Sequence, residues 1–290
     1  MRVRLLGLFA VLAIVVTSRP LTAAAPTANS IPFTLTGTGQ VLVPVTINGA
    51  GPFQFILDTG ANRSAISDTL AARLALPPVA LSEAVSSTGS ELRSIVRPQL
   101  ISLGSYERVE VLTLVLAAAT LHDVHPRAEG IVGQDMLIEA HYTVDYRRKR
   151  LTWLEAASES GAGIRLALRR AHGRVLVELP QSPQRGDVAL LVPDSGASTL
   201  VLFQRNGRTA ISTTMLAATT QVSTVTGDAR VQAAVVSRLR IGTDTLWDQS
   251  AVLVAGPSGP EGTDVDGLLP LNLFASVTFN GRGNYLVARR

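Results

Sequence analysis

Phe53-Gln-Phe-Ile-Leu-Asp58-Thr-Gly-Ala61 and Val188-Ala-Leu-Leu-Val-Pro-Asp194-Ser-Gly-Ala197 decide the reading of this chain. Each is an apolar run ending in an aspartate, followed by a hydroxyl residue, a glycine and an alanine. Apolar runs bounded by turn residues read as buried strands, so both acids are expected at strand ends. The approach to each run is also shared. Gly39-Gln-Val-Leu-Val-Pro-Val45 precedes the first across a turn at Asn48-Gly49. Gly173-Arg-Val-Leu-Val-Glu-Leu179 precedes the second across a turn near Pro183 and Gly186.

The duplication continues downstream, the signature of an internally repeated architecture. Ser87-Thr-Gly89 ends 31 residues after Asp58, and Val225-Thr-Gly227 ends 33 after Asp194. Ile101-Ser-Leu-Gly104 and Leu239-Arg-Ile-Gly242 each end 15 residues beyond those glycines. Gly130-Ile-Val-Gly-Gln-Asp-Met-Leu137 is matched by Gly267-Leu-Leu-Pro-Leu-Asn-Leu-Phe274. Each half closes on a hairpin pattern: Tyr142 to Leu154 turning at Arg147-Arg148-Lys149, and Val277 to Val287 turning at Asn280-Gly281-Arg282-Gly283. The expected organisation is a leader over 1–25, a first lobe over 31–157 and a second over 164–290. The polar, Gly-containing Ser158-Glu-Ser-Gly-Ala-Gly163 is the hinge. Most of each lobe reads as short strands. Helices are expected at Ser67 to Leu74, where capping residues precede helix formers, and at Asp135 to Ala140. The fold class is mainly β with few short helices.

Composition narrows the function classes. Arg2 and Arg4, the apolar run Leu5 to Val16, and the small residues Ala23-Ala24-Ala25 form an export leader too short to span a bilayer comfortably. An uncleaved anchor is the alternative. The expected location is therefore periplasmic or secreted, with no stable membrane span after leader removal. Three of the 26 basic residues lie in that leader, leaving 23 against 22 acidic ones, so no nucleic-acid partner is implied. There is no cysteine, hence no disulfide and no thiol chemistry.

Two carboxylates brought together across two lobes cannot both ionise easily; they share a proton and titrate in two separated steps. One then serves as base toward a water, and the other as acid toward a carbonyl oxygen. That chemistry needs no metal, no cofactor and no covalent intermediate. Gly60 and Gly196 allow the tight turns that bring amides to the acids, and Thr59 and Ser195 have hydroxyls to bond across to the partner loop.

Phe55-Ile-Leu-Asp58-Thr-Gly-Ala61 together with Gly130-Ile-Val-Gly133 resembles the retropepsin-like and pepsin-like aspartic peptidases, and the resemblance covers the mature chain in duplicate. It implies two homologous β-barrel lobes related by a pseudo-twofold axis. Asp58 and Asp194 would form the catalytic dyad, braced by Thr59, Gly60, Ser195 and Gly196. Hairpins around Thr88-Gly89 and Thr226-Gly227 would serve as flaps. It also implies a peptide or protein substrate and, with both acids in one chain, a monomer.

Two residues depart from the pattern: Pro193 directly before Asp194, and Pro270 where the first lobe has Gly133. Proline removes an N–H donor. Either the prolines sit where no donor is needed, or the second lobe is degenerate and the chain is a non-catalytic peptide-binding module. A two-carboxylate glycosidase is disfavoured by the strand-end Asp-Thr/Ser-Gly and the scarcity of aromatic platforms. The remaining features read as structural. His122-Asp-Val-His125 lacks further ligands and reads as a solvated loop, and Arg147 to Arg150 as a hairpin turn. Asp145 reads as a turn carboxylate, Asn62-Arg-Ser64 as a chance glycosylation pattern, and Trp153 and Trp247 as packing residues. Tyr106 is assigned to the strand or turn after the first flap candidate.

Overall fold

The computed structural model describes residues 29–86, 89–155, 162–182, 187–205, 207–224, 227–255 and 265–290. The leader, most of the 158–163 hinge, the turn at 183 and 186, and Thr88 and Thr226 lie outside the described residues. Among the described residues no helix is long and apolar enough to cross a membrane.

Strands dominate, as their pattern requires. Val41–Ile47 turns at Asn48 and Gly49, both with positive φ, into Ala50–Leu57. Paired positive φ values suit the right-handed twist of a two-residue hairpin. Val41, Val43 and Val45 enter the main core, whereas Leu42 enters a smaller cluster on the opposite face. The second lobe repeats this alternation: Val175, Val177 and Leu179 face the main core, and Leu176 faces a satellite with Val192 and Phe203. A strand with both faces buried reads as a continuous apolar run, which is why neither stretch alternates with polar residues.

In the first lobe, Gly130–Val132 runs parallel to Ala50–Leu57 and antiparallel to Ala65–Ser67. In the second, Gly267–Pro270 runs parallel to Asp187–Asp194 and antiparallel to Leu200–Gln204. Each aspartate therefore leaves the sheet between the strand before it and the strand after it, both held by the same third strand.

The closing hairpins do more than end each half. His141–Asp145 pairs antiparallel with Ser276–Asn280, joining the two halves in one sheet. Thr143 faces Thr278 in the middle of this pairing, with His141 on Asn280 at one end and Asp145 on Ser276 at the other. Their hydroxyls are 2.8 Å apart. This register is compatible with a local twofold between the two threonines. Ser30–Pro32 adds an outer strand on Arg150–Trp153.

The helix expected after Ser67 forms over Asp68–Arg73, with the Ser67 hydroxyl accepting from the Leu70 amide. The second forms over Gln134–Leu137, one residue earlier and shorter than its pattern indicates. A third, Ala118–Val124, carries His122 where the sequence reads as a loop. Its Ala-Ala-Thr-Leu start has no capping side chain, so no start signal marks it. Trp153 is buried, stacks on Tyr106 and donates to the Leu103 carbonyl at 2.8 Å. Trp247 is 63% exposed, so it is not the packing residue its composition implies. It stands on the Asp244–Ala255 strand, cross-strand from Arg238.

Candidate active site

Asp58 and Asp194, from the two halves of the chain, are brought together by the loops that follow them. Each is held the same way by the loop that follows it. The Gly60 and Ala61 amides donate to Asp58 Oδ1, both at 2.9 Å. The Gly196 and Ala197 amides donate to Asp194 Oδ1 at 2.7 and 3.1 Å. The glycines also pack crosswise. A methyl group on Gly60 would lie 2.5 Å from Asp194 Cγ, and one on Gly196 would lie 2.8 Å from Asp58 Cγ. Only hydrogen fits there, so glycine at both places is a condition for the carboxyls to meet.

Thr59 and Ser195 lock the two loops by four reciprocal bonds. The Thr59 amide donates to Ser195 Oγ at 3.1 Å, and the Ser195 amide to Thr59 Oγ1 at 3.0 Å. Thr59 Oγ1 donates to the Pro193 carbonyl at 2.8 Å, and Ser195 Oγ to the Leu57 carbonyl at 2.6 Å. Each hydroxyl thus accepts and donates once, and both residues are buried. Pro193 takes part through its carbonyl, which proline retains. Its missing N–H faces no antiparallel partner, because the ladder between Arg174–Ser182 and Asp187–Asp194 stops at Val177 and Leu191.

Pro270 has an equally specific explanation. In the first lobe the Gly133 amide donates to Ser64 Oγ at 3.0 Å. The Ser64 hydroxyl and amide donate in turn to Asp135 at 2.6 to 3.0 Å. Ile66 and Leu202 occupy matching register positions against Gly130 and Gly267, so Leu200 stands where Ser64 stands. The second lobe has therefore lost the donor at Pro270 and the acceptor at Leu200 together. Replacing both partners of a buried bond by apolar groups can be nearly neutral, whereas losing one is costly. Ser64 is buried in this knot.

The two acids are electrostatically unequal. Burial pushes the Asp58 carboxyl up, and the Ala61 and Gly60 amides, the bond from Asp194 and the Arg174 charge oppose that rise. Asp194 is carried well above the ordinary carboxylate range, by burial first and then by the negative charge of Asp58. Burial of both acids and the repulsion between two adjacent carboxylates favour one proton shared by the pair. Asp194 is the more enclosed of the two, at 6% exposure. Burial raises the Tyr146 phenol.

The described strands on either side of both flap candidates pair antiparallel. Pro78–Ser86 pairs with Gly89–Val96 up to Ser86 on Gly89, and Thr214–Thr224 pairs with Gly227–Ile241 up to Thr224 on Gly227. Gly89 and Gly227 start the return strands. The strand Thr214–Thr224 lies against the helix Ala118–Val124, so the second hairpin reaches the first lobe. Among the described residues no three His, Cys, Asp or Glu side chains gather as a metal site.

Sequence reasoning missed Arg174, whose Nε donates to the Gly60 carbonyl at 2.9 Å from the opposite lobe. It also missed Gln134, whose buried amide group donates to the Thr59 carbonyl at 2.8 Å. Arg174 was findable, since the repeat sets it against Gln40.

Residues 43–136 match the family model described as aspartyl protease. The match runs from the first repeated strand through Asp58 to the helix after Gly133. A crystal structure of a retropepsin-like aspartic protease from Rickettsia conorii is similar at 16% sequence identity and a TM-score of 0.32, over 43% of this chain and 89% of that one. No curated protein sequence matches the chain significantly.

Proposed function

From a first lobe that carries the aspartyl protease family pattern over residues 43–136, we propose that the chain is an aspartic endopeptidase working with Asp58 and Asp194 as its catalytic dyad. The observation that carries this reading is the crosswise packing of the two loops, which brings the two carboxyls together with each fixed by two backbone amides. Ionised Asp58 takes a proton from a water as its oxygen attacks the peptide carbonyl carbon. Protonated Asp194 gives its proton to the carbonyl oxygen, so a neutral gem-diol forms. As the C–N bond breaks, the proton on Asp58 passes to the departing nitrogen and Asp194 recovers one from the diol. Both carboxyls return to their starting states, and no covalent enzyme intermediate forms.

The hairpins ending at Gly89 and Gly227 are proposed as two flaps over an extended peptide. Exposed Leu81 and Leu92 on the first, and Met215 and Leu216 on the second, offer apolar contacts for substrate side chains. With both acids in one chain, the working unit is proposed as a monomer. The leader-like residues 1–25 make export to the periplasm or medium the proposed location. The rival reading, a peptide-binding module with a degenerate second lobe, loses its motive once Pro193 and Pro270 have local explanations.

The mature chain should cleave a peptide library at acid pH and be blocked by a pepstatin-type transition-state mimic. Asp58→Asn and Asp194→Asn should each lose cleavage while keeping the fold. Wild-type cleavage in both variants would remove the dyad from the mechanism, and peptide binding without turnover at any pH would support the rival reading.

A further inference from the structure

The two halves present matching hairpin tips to each other, but the tips differ in charge. In the first, Gly39 precedes Gln40; a methyl group on Gly39 would lie 3.4 Å from Asn272 Cγ of the second lobe. Gln40 keeps its side chain within its own lobe, accepting from the Thr36 hydroxyl at 2.6 Å. In the second, Gly173 precedes Arg174, and a methyl group on Gly173 would lie 3.4 Å from Asn62 Cβ of the first lobe. Here the side chain crosses, and Arg174 Nε donates to the Gly60 carbonyl. Gly60 is the residue whose amide holds Asp58 and whose Cα lies against Asp194.

We propose that Arg174 is a positioning residue that breaks the symmetry of the carboxyl pair: it clamps the Asp58 loop from the opposite lobe and keeps Asp58 as the ionised partner. A guanidinium is charged at every working pH, and an opposite charge nearby favours the ionised carboxylate. Clamping and charge act on the same loop, so the loop that is held is also the loop that carries the base. The other titratable groups facing the pair do not supply this bias. Asp58 and Asp194 act on each other, Tyr146 faces Asp194, and Arg63 faces Asp135. Enclosure of Asp194 works in the same direction as Arg174.

The inference rests on the peptidase reading for its rate measurements but not for its titration. In Arg174→Gln the acid limb of kcat/KM, which reports ionisation of the base, should move up by about one pH unit, with the alkaline limb moving less. Arg174→Lys, which keeps the charge, should return most of that shift. A uniform loss of rate with both limbs in place would overturn the proposal and leave Arg174 a structural clamp. If the wild-type chain cleaves nothing, the peptidase reading fails, and carboxyl NMR titration of the intact chain still decides this one. Asp58 should own the lower of the two coupled steps, and that step should rise in Arg174→Gln. A lower step belonging to Asp194, or one unmoved by the substitution, would overturn the proposal. If Arg174→Gln does not fold, Arg174→Met, which keeps much of the apolar stem and removes the charge, takes its place with the same expected rise and the same overturning result.

Discussion

Removing the Thr59 hydroxyl is the sharpest test of how the two loops are joined. Thr59→Ala deletes two bonds, from the Ser195 amide at 3.0 Å and to the Pro193 carbonyl at 2.8 Å. Both partners are then left in a region where Thr59 is 0% and Ser195 1% exposed. A buried polar group without a partner costs about 1–3 kcal/mol, so two such groups plus the lost methyl predict roughly 3–5 kcal/mol of destabilisation. That is a large share of a typical domain's stability of about 5–15 kcal/mol. Thr59→Ser keeps the hydroxyl and loses one methyl, which predicts only about 1 kcal/mol. Ser195→Ala deletes a different pair of bonds, from the Thr59 amide at 3.1 Å and to the Leu57 carbonyl at 2.6 Å, and should cost about as much as Thr59→Ala. Urea unfolding of the three variants beside wild type reads these numbers. Equal losses for Thr59→Ser and Thr59→Ala, or a Thr59→Ala loss below about 1 kcal/mol, would show that the reciprocal hydroxyls are not what joins the loops.

Four further outcomes follow from the same geometry. Both dyad carboxyls have folded values raised above the ordinary 3.8, so the folded chain keeps protons that the unfolded chain gives up. Their contribution is fully present below about pH 4 and is lost as pH rises through the raised values. The melting temperature should fall over that range, and Asp194→Asn should flatten the fall. Gly133→Ala would place a methyl 2.5 Å from the Arg63 carbonyl carbon and 2.6 Å from its oxygen. A fixed backbone cannot yield there, and a loss of about 2 kcal/mol or more is expected in thermal unfolding. Pro270→Gly, by contrast, should change stability by only about 1 kcal/mol, chiefly through freedom gained by the unfolded chain. Gly60→Ala would force a methyl against Asp194 Cγ at 2.5 Å; peptide cleavage should drop by more than tenfold while circular dichroism stays that of a β protein.

The repeat made much of this legible. Landmarks at matching offsets located the strands, both acids, the hydroxyl residues and the glycines, because a strand-end Asp-Thr/Ser-Gly is a local pattern tied to a local backbone geometry. What stayed hidden depends on side chains that meet across sequence. The helix Ala118–Val124 has no capping residue and few polar positions to mark its start, so its register is set by packing of Leu121 into a small core cluster. The union of the closing hairpins follows from which edges are left open after each half folds, and neither hairpin's own residues state it. Trp247 misled because composition weighs a tryptophan by its size, whereas exposure depends on which side of the Asp244–Ala255 strand it occupies.

The two prolines carry the argument furthest. Judged singly, each removes a donor beside a buried acid and reads as damage. Judged in register, Pro270 and Leu200 together replace Gly133 and Ser64, so the lost donor and the lost acceptor are partners in one vanished bond. This can be tested as a coupling. Leu200→Ser alone should be costly, by about 2–4 kcal/mol, because it leaves a hydroxyl and a void in a core position. Adding Pro270→Gly supplies an N–H for that hydroxyl and should return part of the loss, so the double variant should be more stable than the sum of the singles by about 1 kcal/mol. Strict additivity would mean that the two substitutions arose independently and that the second lobe tolerates Pro270 for some other reason. Coupling would mean that the second lobe is a repacked copy of the first, with the support beneath Asp194 rebuilt in apolar form.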